Sequence, residues 1–361
     1  MLICFFLADF SALAQKSSKN LYGGLKFRNI GPAMTSGRIA DIAIHPDNEN
    51  VWYVAVGSGG VWKTKNSGTT WKAIFENQKV YSTGCITIDP NNPSTIWLGT
   101  GENVGGRHAG FGDGIYVSHN DGKSWKNMGL ENSEHLSKII VHPENSDIIW
   151  VASQGPLWSK GGDRGVYKSI NGGKTWKRTL GDSEWVGATD LLIDPTNPDV
   201  LYAATWQRHR TVAGYLGGGP GSGLHKSIDG GETWKALKNG IPNSNLGKIG
   251  LAMSPFNSKV IYAAIELDRT KGGFYMSSNG GQTWVKQSDA VAGGTGPHYY
   301  QEIIASPHHE GTIYFMNNSA LESKDHGKTF KRMSRSNQHS DSHALVFKKS
   351  DPNYLLIGTD G

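Results

Sequence analysis

Val166-Tyr-Lys-Ser-Ile-Asn-Gly-Gly-Lys-Thr-Trp176 reads as a short strand, a tight turn and a large apolar residue that returns along the next strand. Close copies end at Trp71, Trp125, Trp176, Trp234, Trp284 and Phe330, 46 to 58 residues apart. That spacing falls in the range of propeller blades and other stacked units. In every copy an Asn or Asp (Asn66, Asn120, Asn171, Asp229, Asn279, Asp325) precedes a Gly by two positions (Gly68, Gly122, Gly173, Gly231, Gly281, Gly327). An Asx side chain bonds the backbone just ahead of it, and Gly takes a positive φ without steric cost.

A second repeat lies between these turns. An apolar-x-apolar-x-Pro run ends at Pro46, Pro90, Pro143, Pro195, Pro255 and Pro307, and a seventh copy carries Lys349 in place of Pro. In a gapless register, the seventh residue after each of these is Tyr53, Trp97, Trp150, Tyr202, Tyr262, Tyr314 and Leu356. Each unit therefore contains four short antiparallel strands. The expected fold is an all-β propeller of about seven four-stranded blades, the last incomplete because the sequence stops after its second strand.

Composition agrees. The chain has 361 residues, 48 of them Gly, with 19% charged residues and a formal net charge of +5. The charge is dispersed without a basic block, so no nucleic-acid partner is expected. Residues 1–14 carry an apolar run from Leu2 to Leu7 and end in Ala12-Leu13-Ala14, the pattern of a leader cleaved after Ala14. The expectation is a signal peptide over 1–14, a linker over 15–24 and the propeller over 25–361, secreted or periplasmic, without membrane insertion, and the first part of a longer protein. Once the leader is removed only Cys85 remains, which excludes an internal disulfide.

In an up-and-down blade the Asx-Gly turns lie on one face and the long, variable loops on the other. The variable face starts each first strand with Arg38, Ser82, His135, Gly187, Gly247, Tyr299 and Asp341, and ends each second strand with Gly57, Gly101, Gln154, Trp206, Glu266, Asn318 and Asp360. Varied loops on a regular scaffold are the expected place for binding. Trp158, Trp185 and Trp206 have no place in the repeat, and with Gln154, Arg208 and Tyr215 they suit stacking on sugar rings and bonding to hydroxyls. Arg38, Glu102 and Tyr299 complete the expected ligand-binding set, with Asn103, Arg107, His108, His298, Tyr300 and Glu302 as lesser candidates.

His339-Ser-Asp341-Ser-His343 is the most chemical-looking run. Residues two apart on an extended strand share a face, so the two imidazoles and the carboxylate would converge, either on a divalent metal or as an acid/base cluster. Expected catalytic residues are Asp341, Asp360 and His343. The Gly217 to Gly221 run is not followed by a phosphate-loop Lys-Ser/Thr, cysteine gives no zinc spacing, and no cofactor is expected.

The Ser-x-Asx-x-Gly-x-Thr-Trp pattern resembles the Asp-box (BNR) repeat of sialidases, sortilin-type receptors and xyloglucanase-like glycoside hydrolases, in which the box is a structural turn on the outer rim. Residues 25–361 look like the first part of large secreted bacterial proteins described as glycoside-hydrolase-like or as carrying a sortilin N-terminal domain. Their xyloglucanase relatives use two seven-bladed propellers, with an acid from each facing a cleft. The first of those acids falls in a Thr-Asp-x-Gly-Gly run, where this chain has Val56-Gly57-Ser58-Gly59-Gly60. The resemblance thus implies a polysaccharide-binding, glycoside-hydrolase-like propeller that in full-length form hydrolyses its ligand, yet Gly57 stands at the carboxylate position. Whether the chain is an enzyme is left open, and the sortilin comparison implies a non-catalytic peptide- or protein-binding alternative.

Overall fold

The computed structural model describes residues 37–181, 184–268, 271–293, 296–333 and 338–361. The expected leader, the linker and the first residues of the expected propeller lie outside them. The first blade pairs Ile39–Ile44, Trp52–Val56, Gly60–Thr64 and Lys72–Ala73 in sequence order. Five more four-stranded antiparallel sheets follow, with inner strands Thr83–Ile88, Leu136–His142, Val186–Asp194, Ile249–Ser254 and Ile303–Ala305. The seventh unit is a two-stranded sheet of Ser342–Phe347 and Leu355–Thr359. The fourth blade carries an added hairpin, His209–Arg210 with Tyr215–Leu216, between its second and third strands.

The sheets are arranged around one channel. Asp41, Thr87, Lys138, Asp190, Gly250, Ile303 and Ala344, one from each inner strand, line the same cavity of about 340 Å³. Each pair of neighbouring blades buries its own apolar cluster. At the closing seam Ile42, Val54 and Trp62 of the first blade pack on Ala344, Val346 and Leu356 of the seventh. Across that seam the Ser350 N–H donates to the Glu49 carboxylate at 3.0 Å. Ring closure therefore rests on packing between sheets, the way propellers shelter their edges.

The repeat residues explain themselves here. Tyr53, Trp97, Trp150, Tyr202, Tyr262 and Tyr314 are all buried between blades, and Leu356 is half-buried. In the third blade Asn171 accepts from the Thr175 N–H at 3.0 Å, and the Gly173 N–H donates to the Ser169 hydroxyl at 2.9 Å. Gly173 has φ +77, and a Cβ there would lie 2.7 Å from the Trp97 ring of the preceding blade. The closing Trp176 indole donates to the Met128 carbonyl, again of the preceding blade, at 2.8 Å. One motif thus makes the turn and locks two blades together.

Candidate functional site

On the face opposite the Asx-Gly turns, the strand ends meet in the expected pairs. Gly57 N–H donates to Arg38 O, Gly101 to Ser82, Gln154 to His135 and Gly247 to Glu266, all at 2.8–2.9 Å, and Gly187 pairs with Trp206. The sixth blade departs from this register: Asn318 offers its carbonyl to the Asp341 N–H of the seventh blade, at 2.7 Å.

Blades two, six and seven converge on Arg38 of the first. Its guanidinium lies 3.4 Å from Glu102 and 3.6 Å from Asp360, reaches His108 at 2.9 Å, and sits 5.3 Å from the centre of the Tyr299 ring. Asp360 also bonds His343 at 2.8 Å. The neighbourhood of Gly57 is the informative one. A Cβ there would come within 3.0 Å of Arg38 Cγ and within 3.1 and 3.2 Å of Glu102 Cγ and Cδ. Its backbone φ is ordinary, so a side chain there is opposed by crowding and not by conformation. The room a carboxylate at position 57 would use is filled by Glu102 of the next blade.

The two acids sit in different environments. Glu102 is 5% exposed, and its Oε2 has no hydrogen-bond partner among the described residues. Burial pushes its pKa above the ordinary carboxyl value, against the pull of Arg38. Burial also acts on Asp360, but there the His343 hydrogen bond, with the charges of His343 and Arg38, prevails and holds the pKa low. Environments that push two carboxyls apart assign one as an acid and the other as an ionised partner. The Glu102 main chain is fixed by His135 Nδ1, 2.7 Å from its carbonyl, and by its own N–H to Gly110 at 2.9 Å. His135 is fully buried, and burial with the adjacent Arg208 lowers its pKa to about 3, so it is neutral.

His339, Asp341 and His343 bond to different partners. Asp341 has φ +65 and the strand begins only at Ser342, so the alternation that would align the three side chains is broken. Asp341 accepts from Tyr300 Oη and, at 2.6 Å, from Asn318 Nδ2. His343 turns to Asp360 and stacks on the Tyr300 ring, while His339 bonds the Ser340 carbonyl. No group of three His, Cys, Asp or Glu able to hold a metal occurs among the described residues.

The aromatic expectations separate. Trp206 is 1% exposed, its indole donates to Gly217 O at 2.8 Å, and Arg208 lies over its ring, so it offers no open face for stacking. Both partners flank the added hairpin of the fourth blade, which the repeat pattern does not contain. Gln154 and Arg208 are equally buried; Gln154 bonds the Asn103 carbonyl, and Arg208 those of Val104 and Gly155. Trp158 is 45% exposed, and Trp185 lies against His209 with ring centres 3.9 Å apart. Tyr215 and Tyr299 are the two that share a cavity, of about 800 Å³, with His108, Arg210, Glu266 and His298. Its size is that of a small-ligand site. Arg210 was not legible as a site residue; the alternating cations of Arg208-His209-Arg210 were the available signal.

Comparison with known proteins adds three findings. A family model described as "Sortilin-Vps10: Sortilin, neurotensin receptor 3" matches residues 113–248. The oligoxyloglucan-reducing end-specific xyloglucanase of Emericella nidulans is 22% identical over 63% of this chain and 27% of its own length, and a xyloglucanase of Paenibacillus sp is 26% identical over 71% and 22%. The chain spans about a quarter of the length of these curated relatives. Among solved structures, an ancestral GH74 enzyme superposes with a TM-score of 0.66 at 17% identity, covering 90% of this chain and 44% of that one. YCF48 from Cyanidioschyzon merolae superposes with a TM-score of 0.58 at 15% identity, covering 91% and 95%. YCF48 bound to D1 peptide gives 0.58 at 13%, covering 91% and 93%. The chain is a β-propeller that shares sequence similarity with xyloglucanases over about two thirds of its length.

Proposed function

We propose that this propeller is an exported, glycoside-hydrolase-like module that binds a polysaccharide chain across the face bearing Arg38, and that Glu102 and Asp360 form its acid pair. The observation that carries this reading is the crowding of Gly57 by Glu102, a carboxyl supplied by the next blade and coupled through Arg38 to Asp360. Protonated Glu102 gives its proton to the glycosidic oxygen as the bond to the anomeric carbon breaks. Ionised Asp360 takes the proton of the incoming water, or attacks the anomeric carbon itself and is then released by water. Both are established uses of a carboxyl pair. No helix among the described residues is long and apolar enough to cross a membrane. Export rests on the pattern of residues 1–14.

A second reading is favoured by extent: YCF48, a structure also solved with bound peptide, matches this chain over almost the whole of both. One screen separates the two. The longest form of the protein is passed over soluble polysaccharides and peptides, with reducing ends assayed in the same samples. Retention by a polysaccharide with new reducing ends is expected. Retention by peptides alone would overturn the glycan reading, and glycan retention without cleavage would remove the acid pair from it.

A further inference from the structure

Three arginines beneath the ligand face are buried without an ion-pair partner among the described residues. Arg164 is held by the carbonyls of Gly161 at 2.7 Å and Gln154 at 3.0 Å, and Arg208 by those of Val104 and Gly155 at 3.1 and 3.0 Å. Arg210 grips the Gly105 carbonyl with two nitrogens, at 2.7 and 3.1 Å. Glu134 acts on Arg164 and Arg208 only from beyond ion-pair distance. Burying one cation without a counter-charge is costly, and carbonyl dipoles do not cancel its charge. Burial drives Arg164 down to about 10 and Arg208 to about 9, so both remain cations at neutral pH.

Val104 and Gly105 belong to the Gly-rich loop of the second blade, so Arg208 and Arg210 strap the fourth blade's hairpin across the face to it. The strap forms one wall of the 800 Å³ cavity. Arg210, 7% exposed, lines that cavity with its guanidinium over the Tyr215 ring at 4.3 Å, and exposed Arg107 lines it too, without a salt bridge among the described residues. His108 and His298 stand on the same wall, and Glu266 is the one carboxylate among the described residues of the lining. Unbalanced cations behind a low-dielectric wall focus a positive potential into the cleft they border.

We infer that this cavity is a subsite for carboxylated polysaccharide, taking the carboxylate of a uronic-acid or acidic-substituted sugar between Arg107 and Arg210 with a ring edge against Tyr299. The inference rests on the polysaccharide reading and narrows it from glycans in general to anionic ones. Gly105 engages Arg210 Nε and Nη2, which leaves Nη1 as the Arg210 nitrogen for the carboxylate, beside the exposed Arg107 guanidinium. One charge-assisted contact of that kind suffices for about tenfold in affinity.

The test uses the full chain and matched pairs differing mainly in charge: polygalacturonate with its methyl ester, and carboxymethyl cellulose with hydroxyethyl cellulose, with polyglutamate as the acidic peptide. Dissociation constants are measured at low salt and near 1 M, where the Debye length is about 3 Å. The expected result is at least about tenfold tighter binding of the charged member of one pair. High salt should erase the preference, Arg107→Glu should abolish it, and Arg107→Lys should partly keep it. Arg107→Glu changes an exposed side chain, so its melting temperature serves as the folding control where Arg210→Gln loses the strap. Equal binding of charged and neutral members overturns this inference and leaves the polysaccharide reading standing. Retention by polyglutamate alone, or by no polymer, overturns both.

Discussion

Gly57→Asp places a carboxylate where the xyloglucanase pattern has one, and Arg38 and Glu102 crowd it there. The new Cβ would stand 3.0 Å from Arg38 Cγ and 3.1 Å from Glu102 Cγ, several tenths of an ångström too close. Neither neighbour is free to withdraw, since Arg38 is pinned by His108, Glu102 and Asp360 together. Overpacking a filled site costs about 1–3 kcal/mol. Replacing Gly where φ is ordinary recovers about 0.4–1 kcal/mol from the unfolded chain. The net expectation is a loss of about 1–2 kcal/mol, read from the denaturant midpoint at constant m. Pairing the substitution with Glu102→Ala isolates the crowding. In the double variant the introduced carboxylate inherits both the vacated space and the Arg38 guanidinium, so the two losses should fall short of additive by about 1 kcal/mol or more. Additive losses, or an unperturbed Gly57→Asp protein, would refute the claim that Glu102 occupies that position.

Other perturbations follow from the same geometry. Gly173→Ala should cost about 2–4 kcal/mol, because a left-handed backbone costs about 1–2 and the Trp97 ring blocks the methyl. Gly161→Ala shares φ +77 but meets nothing within 4 Å, so urea unfolding should show only about 1–2 kcal/mol. Glu102 binds its proton more tightly folded than unfolded, so its contribution to stability falls as pH rises from the ordinary 4.5 through the higher folded value. Glu102→Gln should flatten that part of the pH–stability curve. Asp360 has the opposite sign: its contribution is present above the ordinary 3.8 and fades as pH drops through its lower folded value. Asp360→Asn should therefore be penalised at neutral pH and not at low pH. Trp206→Phe should lower the melting temperature, through the lost bond to Gly217, while glycan affinity holds; a selective loss of affinity would put Trp206 back in the binding surface.

Legibility followed locality. The blades, their register and the inward aromatics could be read because each depends on residues within one repeat: Asn171 and Gly173 make a turn, and alternation decides which way Trp150 faces. The site depended on contacts between repeats, and there sequence reasoning lost its hold. Glu102 was visible as a polar loop residue, but its role is set by a gap in another blade, 45 positions earlier. Trp206 stood at an open strand end in the repeat register and is held by Arg208 and Gly217, which flank a hairpin that the register does not contain. The His339 to His343 run is spread apart for a local reason, a positive φ at Asp341 that a non-glycine residue does not advertise.

The acid assignment is tested most directly by the rate of reducing-end release from a retained polysaccharide, measured for the longest form of the protein and its Glu102→Gln variant. A fall of about 10²–10⁴-fold with retention preserved is expected, as befits a lost proton donor. Cleavage by Glu102→Gln at the unsubstituted rate would contradict it.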